Sequence, residues 1–174
     1  MGDPVKFTIK ASADLDPWIY RLQQMGENAE EMMGRSIYEG AKIVTDQIRA
    51  GIEGIPVATY RDKQIYSNGE AVGKKTGLTA AQKQGLLDGL GIAAMRNDGG
   101  FLNVKVGMDG YNSVVTQNWP SGQPNAMIIR SLEAGTSFMA AYPVIGPAVR
   151  STRGAAMEKM KQQFDEETRK VMGL

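Results

Sequence analysis

Along the first ten residues Val5, Phe7 and Ile9 alternate with Lys6, Thr8 and Lys10, the period of two expected of a strand over 5–11 with one buried face. The period then changes. Trp18, Leu22, Met25, Ala29, Met32, Ile37, Ala41, Val44, Ile48 and Ile52 recur every three or four residues, the stripe of an amphipathic helix. Asp14 or Asp16 would cap its first turn with Pro17 just inside, and Gly54 and Pro56 would end it. A straight helix over that range would measure about 55 Å, against a diameter of roughly 40 Å for a compact domain of this length. The helix is therefore expected to bend or break, with Gly26, Gly34 and Gly40 as candidate bends, or else to project and bury its stripe against neighbouring subunits.

From 56 to 78 the periodicity fades, and Gly69, Gly73 and Gly77 mark a long irregular loop. Thr79 then caps a short helix to about Leu90, with Leu86, Leu87 and Leu90 as its apolar face. A β-hairpin follows, from Ile92–Met95 through a turn at 96–100 to Phe101–Met108. Its Asp98-Gly99 pair supplies the positive-φ residues of the turn, with Leu102, Val104, Val106 and Met108 on one face and Asn103, Lys105 and Gly107 on a wet one. A second irregular stretch, 109–124, contains Trp119-Pro120, and Asn125 is placed to cap a helix through about Ala134. The last helix, from about Pro147 to Met172, has Val149, Ala156, Met160, Phe164 and Val171 on one stripe. These elements predict a single α+β domain over 1–174: long N-terminal and C-terminal helices on a small antiparallel sheet with a hairpin, joined by long irregular loops.

Composition narrows the chemistry. The chain has 174 residues, 42% of them hydrophobic, and a formal charge of +1, so one core is expected and no net field draws it to nucleic acid or membrane. Cysteine and histidine are both absent. That removes disulfides, thiolate nucleophiles, imidazole proton shuttles and nearly all transition-metal sites; no cofactor, no metal and no enzymatic activity are expected. Neither an apolar leader nor a stretch of roughly 20 apolar residues occurs, which fits cytoplasmic synthesis and no membrane partner.

Several short patterns weaken on inspection. Gly69-Glu70-Ala71-Val72-Gly73-Lys74-Lys75-Thr76 has three residues between its glycines and a second lysine before the hydroxyl, whereas a phosphate-binding loop needs four and none. Lys75-Thr76-Gly77 matches one element of the serine β-lactamases, but the chain has no Ser-x-x-Lys. The acid pairs Glu30-Glu31 and Glu166-Glu167 lie among other charges and read as solvated helix faces rather than catalytic dyads. Glu133 differs, being set in an apolar segment beside Gly135, and calls for a structural hydrogen bond or a pair across subunits. Arg61, Lys63, Lys74, Lys75 and Lys83, with Tyr60 and Tyr66 among them, form the one basic cluster. It suits a solvated loop, docking on an acidic partner ring, or passing contact with DNA phosphates, the last with strong salt dependence.

Leu132-Glu133-Ala134-Gly135-Thr136, followed by Tyr142-Pro143-Val144-Ile145-Gly146-Pro147-Ala148 and a long helix, resembles the C-terminal half of the tail-completion, or head-to-tail joining, proteins of long-tailed bacteriophages. The resemblance extends over most of the chain: a long first helix, Lys75-Thr76-Gly77-Leu78 entering a short helix, the hairpin, then the Glu-x-Gly-Thr and Pro-Ala segments. Gly85-Leu86-Leu87-Asp88 through Asn112 is also similar to prophage tail-component proteins. Two features depart from the pattern: Ile128 to Leu132 replaces the usual aromatic and alanine, and the loop before Lys75 is longer. The resemblance implies a structural virion subunit made in the bacterial cytoplasm. It would form a sixfold homo-oligomeric ring at the tail top, between the connector or stopper and the tail terminator or tube. An assembly chaperone absent from the finished particle and a tail-associated hydrolase are the alternatives. In the ring reading Arg61, Lys63, Lys74, Lys75 and Trp119 belong to docking loops, and Glu133, Gly135, Thr136, Pro143 and Pro147 form a structural joint.

Overall fold

A computed structural model describes residues 6–10, 26, 28–58, 66–67, 70–71 and 76–172. In chain order these form β1 (Lys6–Lys10), α1 (Ala29–Glu53), β2 (Tyr66–Ser67), β3 (Glu70–Ala71), α2 (Ala80–Gly89), β4 (Leu90–Ile92), β5 (Arg96–Asn97), β6 (Leu102–Met108), α3 (Asn125–Ala134) and α4 (Ile145–Met172). The fold is α+β: helices with a small antiparallel sheet. The sheet runs β1-β6-β4, with β5 also on β6. The chain divides into two compact units, one comprising Asp46–Gly91 with Gly107–Arg150, the other Lys6–Thr45, Ile92–Val106 and Ser151–Leu174. They are called here the joint unit and the hairpin unit.

Among the described residues α1 begins at Ala29. Gly26 has φ +87°, a value no α-helix accommodates, and the Ala29 N–H turns back onto the Gly26 carbonyl at 3.2 Å. The expected cap and first turn at 14–17 lie outside the described residues. From Ala29 onward the stripe behaves as the spacing predicts, with Met32, Ile37, Ala41, Val44, Ile48 and Ile52 all buried; burial of each large side chain stabilises the fold by roughly 1.5–3 kcal/mol.

Gly34 and Gly40 do not break this helix, which continues through both. They are absences of side chain where a neighbour sits close. A Cβ on Gly34 would lie 2.4 Å from Met95 Sδ, and one on Gly40 would lie 2.3 Å from Met160 Cε. In the same hairpin unit Met32, Met33 and Phe164 form a buried cluster, with Ala29 and Leu102 packed against it.

The hairpin corrects three details of the sequence reading. Its left-handed residues are Gly99 and Gly100, at φ +69° and +93°, rather than Asp98 and Gly99. Glycine-glycine supplies both positive-φ positions of a two-residue turn without steric cost, so Asp98 remains outside it. Of the strand expected over Ile92–Met95 only Ile92 is in a strand, at the end of β4, while β5 occupies the first two residues of the expected turn and pairs with β6 in the register Arg96↔Asn103 and Asn97↔Leu102. Asn103, expected on the wet face, is buried, because its Nδ2 donates to Asp98 Oδ2 at 3.0 Å and to the Phe101 carbonyl at 3.2 Å, closing the turn.

The stretch 56–78 is not irregular throughout. Tyr66↔Ala71 and Ser67↔Glu70 pair as a minimal antiparallel ladder, and the base is closed where Val57 bridges Leu78. Gly77 makes that closure possible: at φ +79° a Cβ there would stand 2.1 Å from the Pro56 carbonyl oxygen.

Candidate functional site

Residues 132–148, the joint singled out by sequence, lie wholly in the joint unit. Helix α3 buries Ile128, Ile129 and Leu132, which leaves Glu133 half-buried at the edge of that apolar face. Asn125 does not cap this helix. Pro124 holds the cap position, and Asn125 Nδ2 instead donates to the Gly85 carbonyl at 2.8 Å and the Asp109 carbonyl at 2.7 Å. Its side chain therefore ties α2 to the start of the 109–124 loop.

Gly135 ends α3 with φ +69° and ψ 174°, a region open essentially to glycine alone. Thr136 then folds the chain back: its N–H donates to the Met139 carbonyl at 2.8 Å while its hydroxyl accepts from Met139 N–H at 2.9 Å and Phe138 N–H at 3.3 Å. Tyr142 N–H returns to the Leu132 carbonyl at 2.7 Å, and its hydroxyl donates to the Gly54 carbonyl at 3.2 Å. Pro143 follows, exposed, and Val144 is buried where Gly51 carries no side chain; a Cβ there would lie 2.5 Å from Val144 Cγ1.

This path places the N-terminus of α4 against Glu133. Oε1 accepts from the N–H groups of Val144 and Ile145, each at 2.5 Å, and Oε2 accepts from Gly146 N–H at 3.4 Å. Pro147 has no N–H to satisfy, and Ala148 N–H makes the first intrahelical bond, to the Val144 carbonyl at 3.1 Å. Every donor of that first turn is thus accounted for. A carboxylate there also meets the positive end of the helix macrodipole, an effect of up to about 2 kcal/mol when partly buried. The partner sought for Glu133 is inside the chain: the backbone of the next helix.

The same arrangement explains why α4 starts at Ile145 rather than near Pro147, since proline is tolerated in a first turn. It also sets the helical phase. Ala148, Thr152, Ala156, Met160 and Phe164, four apart, are the buried line, whereas Val149, one step of about 100° away, is 37% exposed.

Two cations of the joint unit also meet helix ends. Lys83, grouped by sequence with the basic loop, donates to the Glu53 carbonyl at 2.6 Å and the Ile55 carbonyl at 3.0 Å, at the C-terminus of α1. Arg49 Nη1 donates to the Leu87 carbonyl at 3.2 Å, in the last turn of α2. Both place positive charge where the macrodipole is negative. On α2 itself Thr79 and Gln82 form a reciprocal capping box.

Arg61, Lys63, Lys74 and Lys75 lie outside the described residues. Trp119 is half-buried and closes a turn with Thr116 through N–H donation to its carbonyl at 3.0 Å. No charged residue occurs from Gly110 to Ile129 or from Ala134 to Val149. Within those stretches Tyr111, Val115, Phe138 and Tyr142 are exposed, Val115 by 66%.

The hairpin unit holds one ion-pair network that sequence reading overlooked. Arg35 Nη2 stands 2.8 Å from Glu167 Oε2, and Nη1 stands 2.6 Å from Glu31 Oε1. Glu167 is therefore not simply solvated; the hydrogen bond from Arg35 holds its carboxyl below the usual range, against the opposing effect of burial. Spacing along α1 gives the Glu31–Arg35 pair, but the second, 132 residues away, needs the tertiary fold. Among the described residues there is no group of three or more acids that could hold a metal ion, and no helix is long and apolar enough to cross a membrane. The chain matches no protein-family model, no curated protein and no solved structure.

Proposed function

We propose that this chain is a structural, non-catalytic subunit of the neck of a long-tailed bacteriophage, of the tail-completion type. Six copies form a ring between the head connector and the tail tube or its terminator. One observation carries the reading. The joint unit spends its motif residues on positioning backbone while leaving Tyr111, Val115, Phe138 and Tyr142 exposed in stretches without charge. Exposed apolar groups in segments without charge are what a subunit buries against its neighbours. Glu133 fits the same reading, because a carboxylate committed to three backbone N–H groups serves architecture.

The basic residues Arg61, Lys63, Lys74 and Lys75 dock on an acidic ring partner in this proposal, with passing contact to DNA in the channel as their second use. Mass spectrometry of intact, purified particles tests the reading directly. Recovery of the chain at a stoichiometry near that of other neck proteins supports it. Presence in assembling lysates with absence from finished particles identifies a chaperone and overturns it. A deletion phage is expected to accumulate full heads and separate tails.

A further inference from the structure

In the joint unit the loop 111–124 is closed at its base by its own two ends: Asn112 N–H donates to the Gln123 carbonyl at 2.9 Å, Asn125 N–H donates to the Gly110 carbonyl at 3.0 Å, and Tyr111 bridges Pro124. Asn112 and Asn125 stand at those ends, only 4% and 2% exposed. Both side chains meet α2 at one point, since a Cβ on Gly85 would lie 2.4 Å from Asn112 Cβ and 2.8 Å from Asn125 Oδ1.

Each amide has one half committed. Asn112 Oδ1 accepts from Val114 N–H at 2.9 Å, and Asn125 Nδ2 donates to the Gly85 and Asp109 carbonyls at 2.8 and 2.7 Å. The other halves, Asn112 Nδ2 and Asn125 Oδ1, are buried without a partner in the chain. Turning either amide over does not help, because it would set the Asn112 NH₂ group against the Val114 N–H, or the Asn125 oxygen against two carbonyls. One spare donor and one spare acceptor are therefore enclosed in the same loop base, where an unmade hydrogen bond carries the full desolvation cost of its group.

We propose that a single water molecule is built into this loop base, accepting a hydrogen bond from Asn112 Nδ2 and donating one to Asn125 Oδ1. The pair of spare atoms selects it. A cation would face the Nδ2 hydrogens and an anion would face the Oδ1 lone pairs, whereas a neutral group that both accepts and donates satisfies the two together. Water is the smallest such group, and buried waters serve polar atoms that a protein's own bonding leaves over. The loop that presents Tyr111 and Val115, exposed by 61% and 66%, is thereby held to α2 at both ends: directly through Asn125, and at Asn112 through the water.

A crystal structure of the whole chain, at a resolution that shows ordered solvent, tests the site. One enclosed water within hydrogen-bond distance of both Asn112 Nδ2 and Asn125 Oδ1 is expected. A direct bond between the two amides, a solvent peak touching only one of them, or no solvent peak overturns the proposal. In solution the same water should give a dipolar cross-peak with the Asn112 Nδ2 protons, and absence of that peak also overturns it. Asn112→Leu, close to asparagine in size but without the donor, should lose the water while keeping the Asn125 contacts to Gly85 and Asp109; a water retained there would mean that Asn112 does not hold it, which again overturns the site. Should that variant fail to fold, the wild-type density and cross-peak decide. The outcome is independent of the ring reading, which the particle measurements decide separately.

Discussion

The two compact units use charge differently. In the joint unit Glu133, Lys83 and Arg49 each meet backbone at the end of a helix; in the hairpin unit Arg35 meets Glu31 and Glu167, and Lys42 meets Glu39, side chain to side chain. A charge on a helix end fixes where the chain enters or leaves that helix, because it replaces several solvent hydrogen bonds at once. A charge paired with another side chain near the surface fixes less, since it positions one flexible side chain rather than the backbone. Loop geometry in the joint unit is thereby set from within, and its uncharged segments keep Tyr111, Val115, Phe138 and Tyr142 exposed.

The sharpest contrast comes from the same substitution made in each unit. Gly77→Ala puts a Cβ against the Pro56 carbonyl at a positive φ, and backbone cannot swing aside, so a loss of roughly 3 kcal/mol or more is expected in urea unfolding. Gly34→Ala meets only the tip of Met95, itself 36% exposed. That thioether can rotate away, and alanine favours helix over glycine by about 1 kcal/mol, so the net change should stay below about 1 kcal/mol. Equal losses for the two would erase the distinction.

Next in size is the joint itself. Glu133→Ala leaves three N–H groups of α4 without their acceptor and should cost about 2–3 kcal/mol, whereas Glu133→Gln keeps one acceptor oxygen, loses the charge and should cost about 1 kcal/mol. Thermal unfolding of the two variants beside wild type orders them. If Glu133→Ala were neutral, the carboxylate would not be fixing the entry of α4.

The smallest effect belongs to the hairpin unit's ion pairs. Arg35→Met should cost about 1 kcal/mol at neutral pH, as for pairs near the surface. The pH dependence has a definite sign. The hydrogen bond from Arg35 depresses the folded-state pKa of Glu167, so the pair's contribution is present above the unfolded carboxylate pKa and is lost as pH falls through the depressed folded value. Denaturation midpoints of wild type and Arg35→Met should differ at pH 7 and converge in acid. A gap that widens on acidification would contradict the assignment.

Periodicity made the secondary structure legible where one face was buried: the stripe from Met32 to Ile52, the capped start of α2 at Thr79, and the alternation of Val104, Val106 and Met108 are all read directly. It failed where a residue type has two uses. Gly34 and Gly40 read as bends because glycine weakens helices, but they also admit Met95 and Met160, which no local pattern reveals. Asn125 read as a cap, yet its amide spans to Gly85 and Asp109. Glu133 was conspicuous as a carboxylate in apolar surroundings, and its partner is hidden from sequence because backbone N–H groups belong to every residue. Lys83 was grouped with the basic loop by proximity, whereas the α1 carbonyls it meets are about 30 residues back in the chain.

Hydrogen–deuterium exchange on the free chain and on purified particles tests most directly whether the uncharged loops of the joint unit form an assembly surface. The loop amides at 111–119 and 136–141 should exchange readily in the free chain, apart from those held in turns, and become strongly protected in the particle, while the exposed face of α4 around Glu158 and Glu166 changes little. Equal exchange of both loops in the two states, with the chain present in the particle, would contradict the account.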